Sequence, residues 1–170
     1  MNAEERRNNV LKAISAAQGP ISAAKLAVKF GVSRQIIVGD VALLRAAGED
    51  ITATPRGYIY EVSHPGLTYT IACRHGMPQM EEELNICVDN GCLVENVIVE
   101  HPIYGQLEGQ LSISNRHDVQ EFMAKVRTSK AAPLSALTDG VHLHTLRCPD
   151  EASFKRVTEG LREAGILFWR

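Results

Sequence analysis

The sequence predicts an α+β fold in two units, and three observations carry that prediction. Helical periodicity dominates residues 3–46, short β-prone runs alternate with helical ones beyond residue 67, and the polar break Ser63-His64-Pro65-Gly66 separates the two patterns. Domains at 1–62 and 67–170 are expected. A chain of 170 residues, 45% of them apolar, is long enough for two small domains and is not of disordered composition.

No apolar run approaches the roughly 20 residues that cross a bilayer. The charged start, MNAEERRNNV, lacks a signal-peptide core, so a cytoplasmic protein without a membrane partner is expected. Cys73, Cys87, Cys92 and Cys148 have no CxxC spacing and read as free thiols packed like small apolar residues. Net charge is −2 but unevenly placed. Residues 1–62 hold eight Lys/Arg against six Asp/Glu, and the rest hold ten against fourteen. That asymmetry fits an N-terminal nucleic-acid module, although its size decides nothing by itself.

Within residues 3–17, Val10, Leu11, Ile14 and Ala17 share one helical face, and Gly19-Pro20 ends the helix. Ser22 caps a short second helix whose inner face is Ala23, Leu26, Ala27 and Phe30, and Gly31 closes it. Ser33 caps a third, with Ile36, Ile37, Val41 and Leu44 turned inward. Helix, glycine turn, helix is a DNA-reading unit whose second helix offers its first residues to the major groove. Those residues are Ser33, Arg34 and Gln35. Arginine suits guanine and glutamine suits adenine by bidentate geometry. Ser22 and Lys25 complete the DNA-facing set on the preceding helix. Two short strands around Pro55-Arg56-Gly57 form a hairpin with Arg56 at its tip, placed for a phosphate or minor-groove contact.

The segment from PISAAKLAVKFGVSRQ through DVALLR to TPRGYIY resembles the winged helix-turn-helix of many bacterial repressors, the biotin repressor group included. One residue departs from that pattern: Gly39 stands inside the recognition helix where a polar or basic side chain is usual. It should cost about 1 kcal/mol of helix stability relative to alanine. A homodimer would offset weak binding by a single copy.

Beyond the break, LTYTIAC, LVENVIVE, QLEGQLSIS and VHLHTLRC read as strands. PQMEEELNICVDN, RHDVQEFMAKVRTS (capped by Asn115) and DEASFKRVTEGLREA read as helices, and ILFW as a possible last strand. The first six elements run β-α-β-β-α-β, the order of a split βαβ sandwich with helices on one sheet face. His142 and His144, two apart on a strand, project from one face and make half of a transition-metal site. On a helical wheel Glu83 borders the stripe of Met80, Leu84, Cys87 and Val88 while Glu82 faces away. A carboxylate there needs a partner. Glu81, Glu82 and Glu83 equally fit an acidic first turn favoured by the helix dipole. His75 ends the first strand, His101 stands before Pro102, and His64 and His117 are read as surface residues.

These segments, above all VIVEHPIYGQLEG, SNRHDVQEF and LTDGVHLHTL, resemble the three-histidine domain of the niacin-responsive repressors of NAD biosynthesis. With the N-terminal part, the resemblance spans nearly the whole chain. It implies a transcriptional repressor, not an enzyme, that binds an operator in double-stranded DNA with nicotinic acid as co-repressor. It also implies a divalent metal, zinc, nickel or iron, on His75, Glu83, His142 and His144, with His101, the remaining family histidine, either as a ligand contact or as a support behind the metal-holding residues. The alternative is a metalloregulator whose effector is the metal itself. A metal-dependent hydrolase is disfavoured, because no second acid/base group stands at a recognisable spacing.

Overall fold

The computed structural model describes residues 1–60 and 65–168. It divides into two units, Met1–Ser63 and His64–Arg170. Ser63 and His64 of the 63–66 break, and Trp169 of the ILFW run, lie outside the described residues. No helix among those described is long and apolar enough to cross a membrane.

The first unit contains α1 (Ala3–Ser15), α2 (Ala23–Phe30), α3 (Arg34–Ala46), β1 (Ile51–Thr54) and β2 (Gly57–Tyr60). Its helix starts follow local chemistry. Asn2 and Glu5 form a reciprocal capping box on α1, and the Ser22 and Ser33 hydroxyls accept from the Lys25 and Ile36 amides. Val10, Ile14, Leu26, Ile37, Val41 and Ile51 form the core. Gly31 ends α2 in a left-handed turn at φ 65°.

Two features of α3 correct the sequence reading. Ile36 is 42% exposed rather than buried, and the inner face is instead Ile37, Asp40, Val41 and Leu44. The helix is rotated so that Asp40 points inward, where Arg6 meets it in two hydrogen bonds of 2.6 and 3.2 Å. A buried carboxylate is tolerated when a guanidinium answers both oxygens. This pair links α1 to the recognition helix.

The hairpin β1–β2 is held by Ile21, whose N–H and C=O both bond to Tyr58, at 3.0 and 2.9 Å. Gly57 makes that approach possible. Its φ is +138°, and a Cβ there would lie 2.5 Å from the Ile21 carbonyl carbon.

The second unit contains β3 (Leu67–Arg74), α4 (Met80–Asp89), β4 (Leu93–His101), β5 (Gly105–Ile113), α5 (Arg116–Thr128), β6 (Val141–Cys148) and α6 (Glu151–Glu163). Asn115 and Asp150 cap α5 and α6. The sheet order is β3-β6-β4-β5 with every neighbouring pair antiparallel. β3 and β4 therefore run parallel with β6 between them, and β5 and β6 with β4 between them, so both β-α-β units are split. The last strand in sequence, β6, lies inside the sheet, which brings its two histidines beneath α4. Along β6, His142, His144, Leu146 and Cys148 are buried while the alternate residues are half-buried. Beyond α6, no strand forms from the described part of ILFW. Residues 166–168 lie along the outer edge of β3 through a single bridge, Leu167 to Cys73.

Gly39 is exposed on α3, and a Cβ there would meet nothing within 4 Å. Gly39→Ala is expected to raise the stability of the N-terminal unit by up to about 1 kcal/mol. Gly57→Ala is expected to lower it by about 1–3 kcal/mol, because strain and a backbone clash add. Denaturant unfolding of the two variants checks both signs.

Candidate functional site

Four residues come together under α4. Glu83, 1% exposed, sits on the inner face of that helix. Its Oε2 lies 2.6 Å from His75 Nε2, and its Oε1 lies 2.9 Å from His142 Nε2 and 3.3 Å from His144 Nε2. The His142 ring stands nearly perpendicular to each neighbour, at 89° to His75 and 82° to His144, with centroids 4.9 Å apart. The rings fan around one carboxylate.

The far side of each ring is held by backbone. His75 Nδ1 is 2.8 Å from the Gly76 carbonyl, His142 Nδ1 is 2.8 Å from the Gly140 carbonyl, and His144 Nδ1 is 2.6 Å from the Asn96 carbonyl. A carbonyl oxygen only accepts, so each Nδ1 carries the hydrogen and each neutral ring turns an Nε2 lone pair inward. Three lone pairs and a carboxylate, all acceptors, then face one another in a space closed to water. Such a cluster needs positive charge, as protons or as a metal ion. His144 Nε2 makes this concrete, because it is buried and has no hydrogen-bond partner. Three imidazoles and a carboxylate match the donor chemistry of zinc, nickel or iron.

Burial opposes charge at all three shifted groups, and their mutual attraction overcomes it. Despite burial, contact with Glu83 raises His75 and His144 above their ordinary value. Likewise, His144, His142 and His75 hold Glu83 well below the usual carboxylate range despite its burial. A proton on His75 opposes one on His144.

Three supporting residues go beyond the sequence reading. Asn96 is buried at an irregularity in β4, where the register against both neighbouring strands shifts. Its side-chain oxygen accepts from the Thr145 amide at 2.8 Å, and its carbonyl turns to His144. The signal for it is an asparagine, a poor strand former, within LVENVIVE. Gly140, at φ +86°, lies against His75, where a Cβ would stand 2.6 Å from the His75 carbonyl oxygen. Cys73 faces His142 across β3 and β6. Its Sγ, a Glu83 oxygen and a His142 nitrogen lie within 4.8 Å of one another. Here the sequence signal is the same period of two that links His142 to His144, running from Cys73 to His75. All four cysteines are free and buried.

His101 is not brought among the other imidazoles. It ends β4, where its Nδ1 accepts from the Ile103 and Tyr104 amides at 3.1 and 3.3 Å and its ring lies against Tyr104. Ile98 pairs with Leu143, so Val99 falls beside His142 and His101 two residues further along the same face. His117 is exposed and pairs with Glu121 at 3.4 Å. Beside the cluster is a cavity of about 470 Å³, lined by Arg74, His75, Met77, Pro133, Ser135 and Asp139 among others.

In the first unit, Lys25, Ser33, Arg34 and Gln35 are exposed at or near helix starts, while Ser22 and Arg56 are half-buried. The Ser22 and Ser33 hydroxyls already cap their helices. Arg56 sits in the turn between β1 and β2, where its amide donates to Thr54 Oγ1 at 3.2 Å.

Comparison with known proteins agrees with both units. Residues 6–59 match the family described as an HTH domain, and residues 68–170 match the 3H domain. The chain is 43% identical over 166 residues to "Transcription repressor NadR" of Bacillus subtilis (strain 168), covering 95% of this chain and 92% of that protein. It is 38% identical over 164 residues to "Probable transcription repressor NiaR" of Thermotoga maritima, covering 96% and 94%.

The charge arrangement makes a pH prediction for metal-free protein. Raised histidines stabilise the fold below their ordinary 6.5 and lose that effect as pH rises through the raised values. The lowered Glu83 stabilises it above its ordinary 4.5 and loses that effect as pH falls through the depressed value. Thermal stability of chelator-treated protein should therefore peak between about pH 4.5 and 6.5 and fall toward pH 8. In Glu83→Gln the fall above pH 6.5 should disappear. Calorimetric scans across pH check both.

Proposed function

The chain belongs to the family of transcription repressors that join an HTH domain to a 3H domain, and from that premise we propose that its C-terminal unit senses nicotinic acid through a bound divalent metal. The observation that carries the reading is the convergence of three Nε2 lone pairs on buried Glu83, with His144 Nε2 lacking a donor. His75, Glu83, His142 and His144 would hold the ion. When bound, it supplies a Lewis-acidic centre able to take a pyridine nitrogen or a carboxylate. Nicotinic acid itself rests on the resemblance of EHPIYG and LTDGVHLHT to the niacin-responsive repressors, and so does control of NAD biosynthesis genes.

The chain's own residues supply the rest. Gly76, Gly140 and Asn96 carbonyls fix the ring tautomers, so all three histidines keep lone pairs inward without rearrangement. The cavity beside His75 has room for a small aromatic acid, and Arg74 brings a cation to its rim. That room favours a sensed small molecule over the ion acting alone. His101 has Nδ1 occupied by two amides, which leaves Nε2–H as a donor for the ligand's carboxylate.

On the DNA side, Arg34 and Gln35 read bases from the start of α3. Lys25 and Arg56 hold the backbone, and the Ser22 and Ser33 ends of α2 and α3 lie beside them. Exposed Ile36 joins this surface as an apolar contact for a thymine methyl. A homodimer places two such surfaces on a palindromic operator. Ligand raises operator affinity only by binding the DNA-competent arrangement better than the other.

Operator titration by fluorescence anisotropy tests this directly. With metal present, nicotinic acid should tighten binding by roughly 5–150-fold, and chelation should abolish the gain. Equal affinity with and without nicotinic acid contradicts the reading. A change on chelation alone would favour the metalloregulator. Separately, Arg34→Ala should cost about 1–3 kcal/mol of operator binding and relax selectivity at one base pair.

A further inference from the structure

We infer that Cys73 is a fifth donor to the metal centre, so that the ion is held by one thiolate together with the three imidazoles and the Glu83 carboxylate. The inference rests on the metal reading above and adds a residue to it.

Geometry is the first argument. Bonds of about 2.3 Å to sulfur and 2.0–2.2 Å to nitrogen or oxygen keep two donors of one ion within about 4.5 Å of each other. Cys73 Sγ, a Glu83 oxygen and a His142 nitrogen already lie within 4.8 Å of one another, a few tenths of an ångström beyond that span. Backbone placement is the second. Cys73 is the direct cross-strand partner of His142, on the same buried face, and His75 follows it by two residues. The strand that delivers one ligand thus delivers the thiol beside it.

Electrostatics is the third. His144 Nε2, 3.3 Å from Glu83 Oε1 but without a hydrogen bond, marks a cluster that calls for a cation, and the thiol stands at its edge. On coordination the S–H bond breaks, sulfur keeps the electron pair as the thiolate donor, and the proton leaves to solvent. A thiolate biases the centre toward zinc, nickel or iron and away from magnesium, calcium and manganese.

Cobalt(II) loaded into the full-length chain is the probe. The expected spectrum has visible ligand-field bands and a near-ultraviolet sulfur-to-cobalt charge-transfer band. Cys73→Ser and Cys73→Ala should each lose the near-ultraviolet band, keep the visible bands, and bind cobalt at least about tenfold more weakly. Far-ultraviolet circular dichroism establishes that the variants are folded. A charge-transfer band absent from the wild type, or undiminished in a folded variant, overturns the thiolate assignment and leaves the four-residue site standing. No cobalt spectrum at all overturns the metal reading and this inference with it.

Discussion

One buried carboxylate organises the C-terminal unit. Glu83 stands on α4 at 1% exposure, and an ionised group in that position would cost several kcal/mol if unanswered. Three imidazoles answer it, two from β6 and one from the residue after β3. The sheet order is what makes this possible, because β6 lies between β3 and β4 and runs under the helix. Backbone carbonyls then turn all three rings the same way round. The result is an arrangement that stabilises the fold only when positive charge is present.

The N-terminal unit solves a different problem with related means. Its recognition helix is anchored by a buried Arg6–Asp40 pair, and its hairpin by backbone bonds from Ile21 to Tyr58. The first ties α3 to α1, and the second ties the hairpin to the residue before the α2 cap.

Much of this is legible in the residues. Helix starts at Asn2, Ser22, Ser33, Asn115 and Asp150 are local events, set by side chains within three residues of the amides they cap. The pairing of His142 with His144 follows from strand period, and the inward position of Glu83 from helix period. What escapes depends on phase or on distant partners. Ile36 turns outward and Asp40 inward, where Arg6, far off in sequence, makes a buried aspartate tolerable. The turn of the Asn96 carbonyl needs a register shift between strands, which no periodicity announces. Gly140 is explained only by the backbone of His75. Cys73 is hidden for a further reason: an isolated buried thiol looks like any small core residue until its cross-strand partner is known.

The chemistry of the site hinges on the protonation pattern of three rings. Long-range ¹⁵N–¹H correlation spectra of the histidine side chains report it nitrogen by nitrogen. The expected result is Nδ1–H in His75, His142 and His144. One equivalent of zinc should then shift all three Nε2 resonances while the Nδ1 hydrogens remain. Zinc leaving the Nε2 resonances unmoved, or any of the three rings carrying its hydrogen on Nε2 in the zinc-loaded protein, would contradict a metal centre built on these lone pairs.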